Sequence, residues 1–158
     1  MTPPRSAPVQ PPPAVNGRRL WAGGAATALV AGMVAVLGVL IAEGVMNLTM
    51  VEPPLLPIGG SFAVRYGFTA AMLALVATGV AHLLAATTPR PRAFFSWVVG
   101  LATAAGFFLP FALDGSFGGR LATALVNLVI GLSVLSLLSS VLARTVRLRG
   151  PNPSAESR

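Results

Sequence analysis

The 158-residue chain contains no cysteine and no lysine; all eleven of its basic residues are arginine. Without cysteine there is no disulfide framework, no thiolate nucleophile, no iron–sulfur site and no cysteine-ligated zinc. Acid is scarce too, with four Asp and Glu together, and there is one histidine. Charged residues make up 9% of the chain, against roughly 25% in ordinary soluble domains. No HExxH occurs, no pair of aspartates lies inside an apolar run, and no serine, histidine and acid fall at a common depth. These absences argue against an enzyme, and nothing implies a metal or cofactor. The net charge of +7 would point to nucleic acid if the arginines formed one patch on a soluble fold. They sort instead by position along the chain, so nucleic acid is not an expected partner.

What the chain has in quantity is apolar sequence, 54% of its residues. Four long gaps without charge run Leu20–Ala42, Tyr66–Pro89, Ala93–Leu113 and Leu121–Ala143. Each reaches the roughly 20 residues that cross a hydrocarbon core about 30 Å thick. Backbone polar groups in lipid must be bonded within their own segment, so the runs are read as helices. The expected fold class is therefore all-α, a transmembrane four-helix bundle, with spans at about 20–43, 64–88, 93–112 and 118–143 inside a domain of residues 19–144. A proline-rich arm, residues 1–18, and a basic tail, residues 145–158, are expected to be disordered.

Direction follows from the arginines. Arg5, Arg18 and Arg19 precede the first span, Arg90 and Arg92 link the second and third, and Arg144, Arg147, Arg149 and Arg158 follow the fourth. Only Arg65 and Arg120 fall on the other side. The positive-inside rule then places both termini in the cytoplasm of a multi-pass plasma-membrane protein. GRRLWAGG resembles the start of an export signal, but its apolar run is too long for one and lacks a small-residue cleavage site, so the span is expected to be retained.

SFxxR occurs twice, at Ser61–Arg65 and Ser116–Arg120. Serine is a preferred N-cap, so each arginine falls in the first turn of a helix, where a cation meets the positive pole of the dipole. The preceding spans end in Glu43-Gly44 and Asp114-Gly115, anions at a negative pole. Mutual pairing would relieve both: Asp114 with Arg120, and Glu43 or Glu52 with Arg65. The competing reading is an anion site at the helix start, taking a lipid phosphate or an acidic substrate. The recurrence also fits two tandem helical hairpins.

Within the spans, polar groups are few. Arg120, Thr123, Asn127 and Gly131 share one face of the fourth span, and Thr78 and His82 share one face of the second. Asn127 is read as glue between helices or as the wall of a small polar cavity. A proton relay through His82 lacks a second titratable group at depth. Gly24, Ala28 and Gly32, and Ala77, Ala81 and Ala85, supply small residues every four positions, which lets helix backbones approach. Pro110 is expected to kink the third span or mark its last turns.

The stretches RPRAFFSW, FFLPFA and ALVNLVIG resemble an uncharacterised family of small four-span membrane proteins from actinobacteria. The resemblance implies a fold and a membrane, and no chemistry; in that family His often stands where this chain has Asn127. Taken together, the residues fit a structural or accessory protein whose partners are the lipid bilayer, other membrane proteins or a second copy of itself. The alternative is a small transporter or channel subunit working as an oligomer, which requires a cavity joining Asn127, His82 and one face.

Overall fold

The computed structural model describes residues 17–52, 59–88 and 90–147, with side chains described as far as residue 143. The arm before residue 17 and the tail after residue 147 lie outside the described residues. Helix α1 spans Gly17–Val39 and continues into a wider π-helical turn, Leu40–Val45. Helix α2 spans Phe62–Thr87, α3 spans Pro91–Phe108 and α4 spans Phe117–Arg147. Among the described residues there is no strand. With their terminal turns the four rods run 22 to 29 residues over their apolar parts, about 33–44 Å at 1.5 Å per residue. All four are long and apolar enough to cross a membrane.

Local chemistry sets the ends. Pro91 opens α3, where its missing N–H costs nothing and its fixed φ suits the first turn. Pro110 cannot continue the α-helical ladder, and α3 tightens into a 3₁₀ turn over Leu109–Ala112. Two boundaries differ from the apolar runs: Gly17 and Arg18 already belong to α1, and residues 145–147 belong to α4 rather than to a disordered tail. Arg18 and Arg147 are good helix formers, whereas Gly17, Thr145 and Val146 are not, so these end turns continue the backbone ladder of the apolar rods rather than follow residue propensity.

The packing is small inside and large outside. Ala31, Ala35, Ala74, Ala81 and Ala124 are buried, while Leu29, Met33 and Leu73 are each more than 60% exposed, at 66%, 65% and 63%. In water so much exposed apolar surface would drive association. Against hydrocarbon it is matched to its solvent, and association rests on close contact of small residues. That contact is specific. A side chain on Gly24 would run into buried Thr78, and one on Gly32 would meet the Gly67 carbonyl of α2 at 3.1 Å.

α1 packs along α2 and along α4, and α3 packs along α4, so the chain forms two helical hairpins joined through α1 and α4. Leu20 clusters with Ala81 and Leu142, which places the start of α1 and the ends of α2 and α4 together. This is called the tail end, and the opposite one the hairpin end. At the hairpin end, residues 46–52 cross from α1 to α4. Asn47 takes a left-handed conformation (φ 52°) that Asn tolerates better than most residues. Met50 and Val51 are buried, and the Val51 N–H donates to Thr123 Oγ1 at 3.0 Å. The crossing is close enough that a side chain at Gly119 would strike the Thr49 carbonyl.

Candidate functional site

The best-defined polar arrangement begins with a missing hydrogen. In an α-helix the carbonyl of residue i accepts from the N–H of residue i+4. For Gly106 that residue is Pro110, which has no N–H. The Leu109 N–H goes to Ala105, so the Gly106 carbonyl needs another donor. Asn127 of α4 supplies it, donating from Nδ2 at 2.7 Å. Its Oδ1 in turn accepts the Tyr66 hydroxyl of α2 at 2.5 Å. One amide side chain thus ties α2, α3 and α4 together. Its orientation is dictated by its partners, since a backbone carbonyl can only accept and so must face the NH₂.

Tyr66, Gly106 and Asn127 also line a cleft of about 350 Å³ between α2, α3 and α4. The helices that flank it, α2 and α3, pack on each other far less closely than α1 packs on α2 or α3 on α4. Leu73, Ala102 and Leu109 belong to its lining and are themselves exposed, so the cleft opens sideways between α2 and α3. Towards the tail end it stops at Ala77, Val99 and Val134. Apart from Tyr66 and Asn127, its polar side chains are Thr69 and Thr103, and both hydroxyls donate to a carbonyl one turn earlier on their own helix, Arg65 and Val99.

The other candidates fall outside it. Thr78 is fully buried between α1 and α2, and its hydroxyl donates to Ala74 of its own helix. His82 lies five residues beyond Ala77 towards the tail end, its ring near Gly17, and its Nδ1 is buried without a hydrogen-bond partner among the described residues. It does not line the cleft. Thr123 is buried, accepting from Val51 and donating to the Gly119 carbonyl. Ser133 and Ser140 likewise donate to carbonyls of their own helix.

The two SFxxR stretches adopt different arrangements. Ser116 caps α4, accepting the Gly119 N–H at 3.1 Å, whereas Ser61 precedes α2 without a side-chain cap bond. Arg65 Nη2 meets Glu52 Oε1 at 2.6 Å, with both side chains partly exposed. Among the described residues this is the only ion pair. Asp114 is exposed and Glu43 half-buried, and neither meets an arginine. The pairing of Asp114 with Arg120 inferred from the sequence is not made; the capped, tightly turned start of α4 places the two apart. Arg120 keeps a buried Nε without a hydrogen-bond partner, as does Arg65. No group of three or more His, Asp or Glu side chains comes together among the described residues.

Residues 15–144, from two residues before α1 into the last turn of α4, match one protein family. The chain belongs to DUF6069, a family of unknown function. No curated protein and no solved structure matches it. Membership in DUF6069 therefore brings no assigned chemistry, and the site is read from its own geometry.

Sequence reasoning singled out Asn127 but missed Tyr66 and Gly106. A signal existed. Pro110 announces an orphan carbonyl four residues earlier, and Asn127 is the one amide side chain inside the apolar runs. Tyr66 is the single tyrosine of the chain, and a buried phenol needs a partner.

Proposed function

We propose that the protein is a structural or accessory component of the plasma membrane. Its four helices span the bilayer with both termini in the cytoplasm, and it docks other membrane helices or lipids along the α2–α3 cleft. The reading rests above all on how the interior polar groups are used. Asn127, Tyr66, Thr69 and Thr103 are bonded to one another or to helix carbonyls, and the cleft they line is mainly apolar and opens to the side. A route for ions or polar solutes needs groups that can exchange partners and a passage towards both ends. The cleft stops short of His82, which weighs against the transporter or channel reading.

A photo-reactive amino acid placed at Ala102, on the open side of the cleft, tests this in native membranes. The expected result is covalent adducts with lipid or with another membrane protein. Absence of adducts, together with solute or ion flux through the purified protein in liposomes, would overturn it.

A further inference from the structure

We infer that Arg120 and the α2–α3 cleft together form a binding site for one phospholipid, with its phosphate at Arg120 and one acyl chain in the cleft. The inference rests on the accessory reading above and names the ligand. Three observations carry it.

First, Arg120 is a cation without an anion. It sits in the first turn of α4, where the helix dipole is also positive. It makes no ion pair among the described residues, and its Nε is buried without a hydrogen-bond partner. The Nε of Arg65 is left unpartnered in the same way, so what sets Arg120 apart is its unmet charge. Arg65, in the matching position of the other hairpin, has its charge met by Glu52. The motif therefore does not itself require an unpaired cation.

Second, register places Arg120 in line with the cleft. Arg120, Asn127 and Gly131 are seven and four residues apart on one stripe of α4, and the last two line the cleft. Seven residues put Arg120 about 10 Å beyond Asn127 towards the hairpin end.

Third, polarity falls in steps along that line. A guanidinium comes first, a geometry suited to phosphate oxygens. The hydroxyl and amide of Tyr66 and Asn127 follow, and Asn127 Nδ2 has a second N–H beyond the one given to Gly106. Below them the lining is Leu73, Ala74, Ala77, Val99 and Val134, with the Thr103 hydroxyl turned onto the Val99 carbonyl of its own helix. A phospholipid presents the same order: phosphate, ester carbonyls, hydrocarbon. The cleft volume of about 350 Å³ lies within the roughly 300–1,000 Å³ of sites that hold small ligands. Its sideways opening lets a chain enter from the bilayer without leaving hydrocarbon.

The test uses the full chain, purified, stripped of lipid and mixed with dioleoyl phosphatidylglycerol or with dioleoylglycerol, which has the same chains and no phosphate. Retained lipid is counted by native mass spectrometry. The wild type is expected to prefer the phospholipid about tenfold, equal to about 1.4 kcal/mol. Arg120→Gln is expected to abolish that preference, and Arg120→Lys to keep most of it. Ala102→Trp, on the exposed side of the cleft, is expected to reduce retention of both lipids while helical circular dichroism stays at the wild-type level. Equal retention of the two lipids by the wild type, or an unchanged preference in Arg120→Gln, would overturn the inference. So would competition by inorganic phosphate at equal concentration, which would make the ligand a free anion. A chain that retains neither lipid yet is cross-linked to another membrane protein from Ala102 overturns this inference and leaves the accessory reading standing.

Discussion

The link between Pro110 and Asn127 makes a prediction that a double-mutant cycle can isolate. Asn127→Leu removes two interhelical bonds, to Tyr66 and to Gly106. Such bonds within membranes average about 0.6 kcal/mol and reach about 1.7 kcal/mol. The substitution is therefore expected to cost about 1–3 kcal/mol. Pro110→Ala restores the N–H that the Gly106 carbonyl lacks, so the helix satisfies that carbonyl itself. In the Pro110→Ala background Asn127→Leu loses only the Tyr66 bond, and its cost is expected to fall by about half. The assay is reversible unfolding of the four variants in mixed micelles titrated with a denaturing detergent, followed by helical circular dichroism. A coupling of about 0.6–1.7 kcal/mol is expected, the worth of one such bond. If Asn127→Leu costs the same in both backgrounds to within about 0.3 kcal/mol, the orphan-carbonyl account is wrong.

Other outcomes follow from the same contacts. Gly24→Ala drives a methyl into buried Thr78 and is expected to cost about 1–3 kcal/mol, whereas Gly100→Ala, which meets nothing within 4 Å, is expected to be neutral or to stabilise by up to about 1 kcal/mol; the same unfolding assay compares them. Gly119→Ala is expected to push the 46–52 crossing off α4 and to speed proteolysis there while leaving helix content intact. Glu52→Gln and Arg65→Gln are expected to couple by no more than about 1 kcal/mol, as partly exposed pairs do. Asp114→Asn and Arg120→Gln are expected to be additive; measurable coupling would show that they pair after all.

The four rods and their all-helical class were legible because lipid imposes one rule on every residue of a span, and a charge-free run of sufficient length records it. Which faces turn inward was partly legible. Gly24 and Gly32 were read as close-packing positions, and they face Thr78 and the Gly67 carbonyl. On α2, however, the most deeply buried small positions are Ala74 and Ala81, followed by Ala70, while Ala77 and Ala85 only flank the core. A composition rich in alanine offers several such stripes, and only the partner helix selects one.

The ends were least legible. SFxxR repeats as letters, yet its two copies differ in capping and in charge pairing, because what lies near each arginine is set by the preceding loop. In one hairpin the chain between α1 and α2 brings Glu52 to Arg65. In the other, the short turn from α3 to α4 leaves Asp114 exposed, away from Arg120. The polar centre was legible residue by residue but not as a unit. Asn127 and Pro110 each stood out, while their connection through the Gly106 carbonyl depends on α3 and α4 lying side by side at that level.

The central claim, that lipid surrounds four rods whose tails lie on one side and whose hairpin turns lie on the other, is open to one direct measurement. The chain has no cysteine of its own, so single cysteines can be placed at Ser6 in the arm and at exposed Ser116 between α3 and α4, and offered a membrane-impermeant maleimide on intact cells. The account predicts labelling of Ser116→Cys from outside, and of Ser6→Cys only after the membrane is opened; labelling of Ser6→Cys on intact cells, or recovery of the folded chain in the soluble fraction, would contradict it.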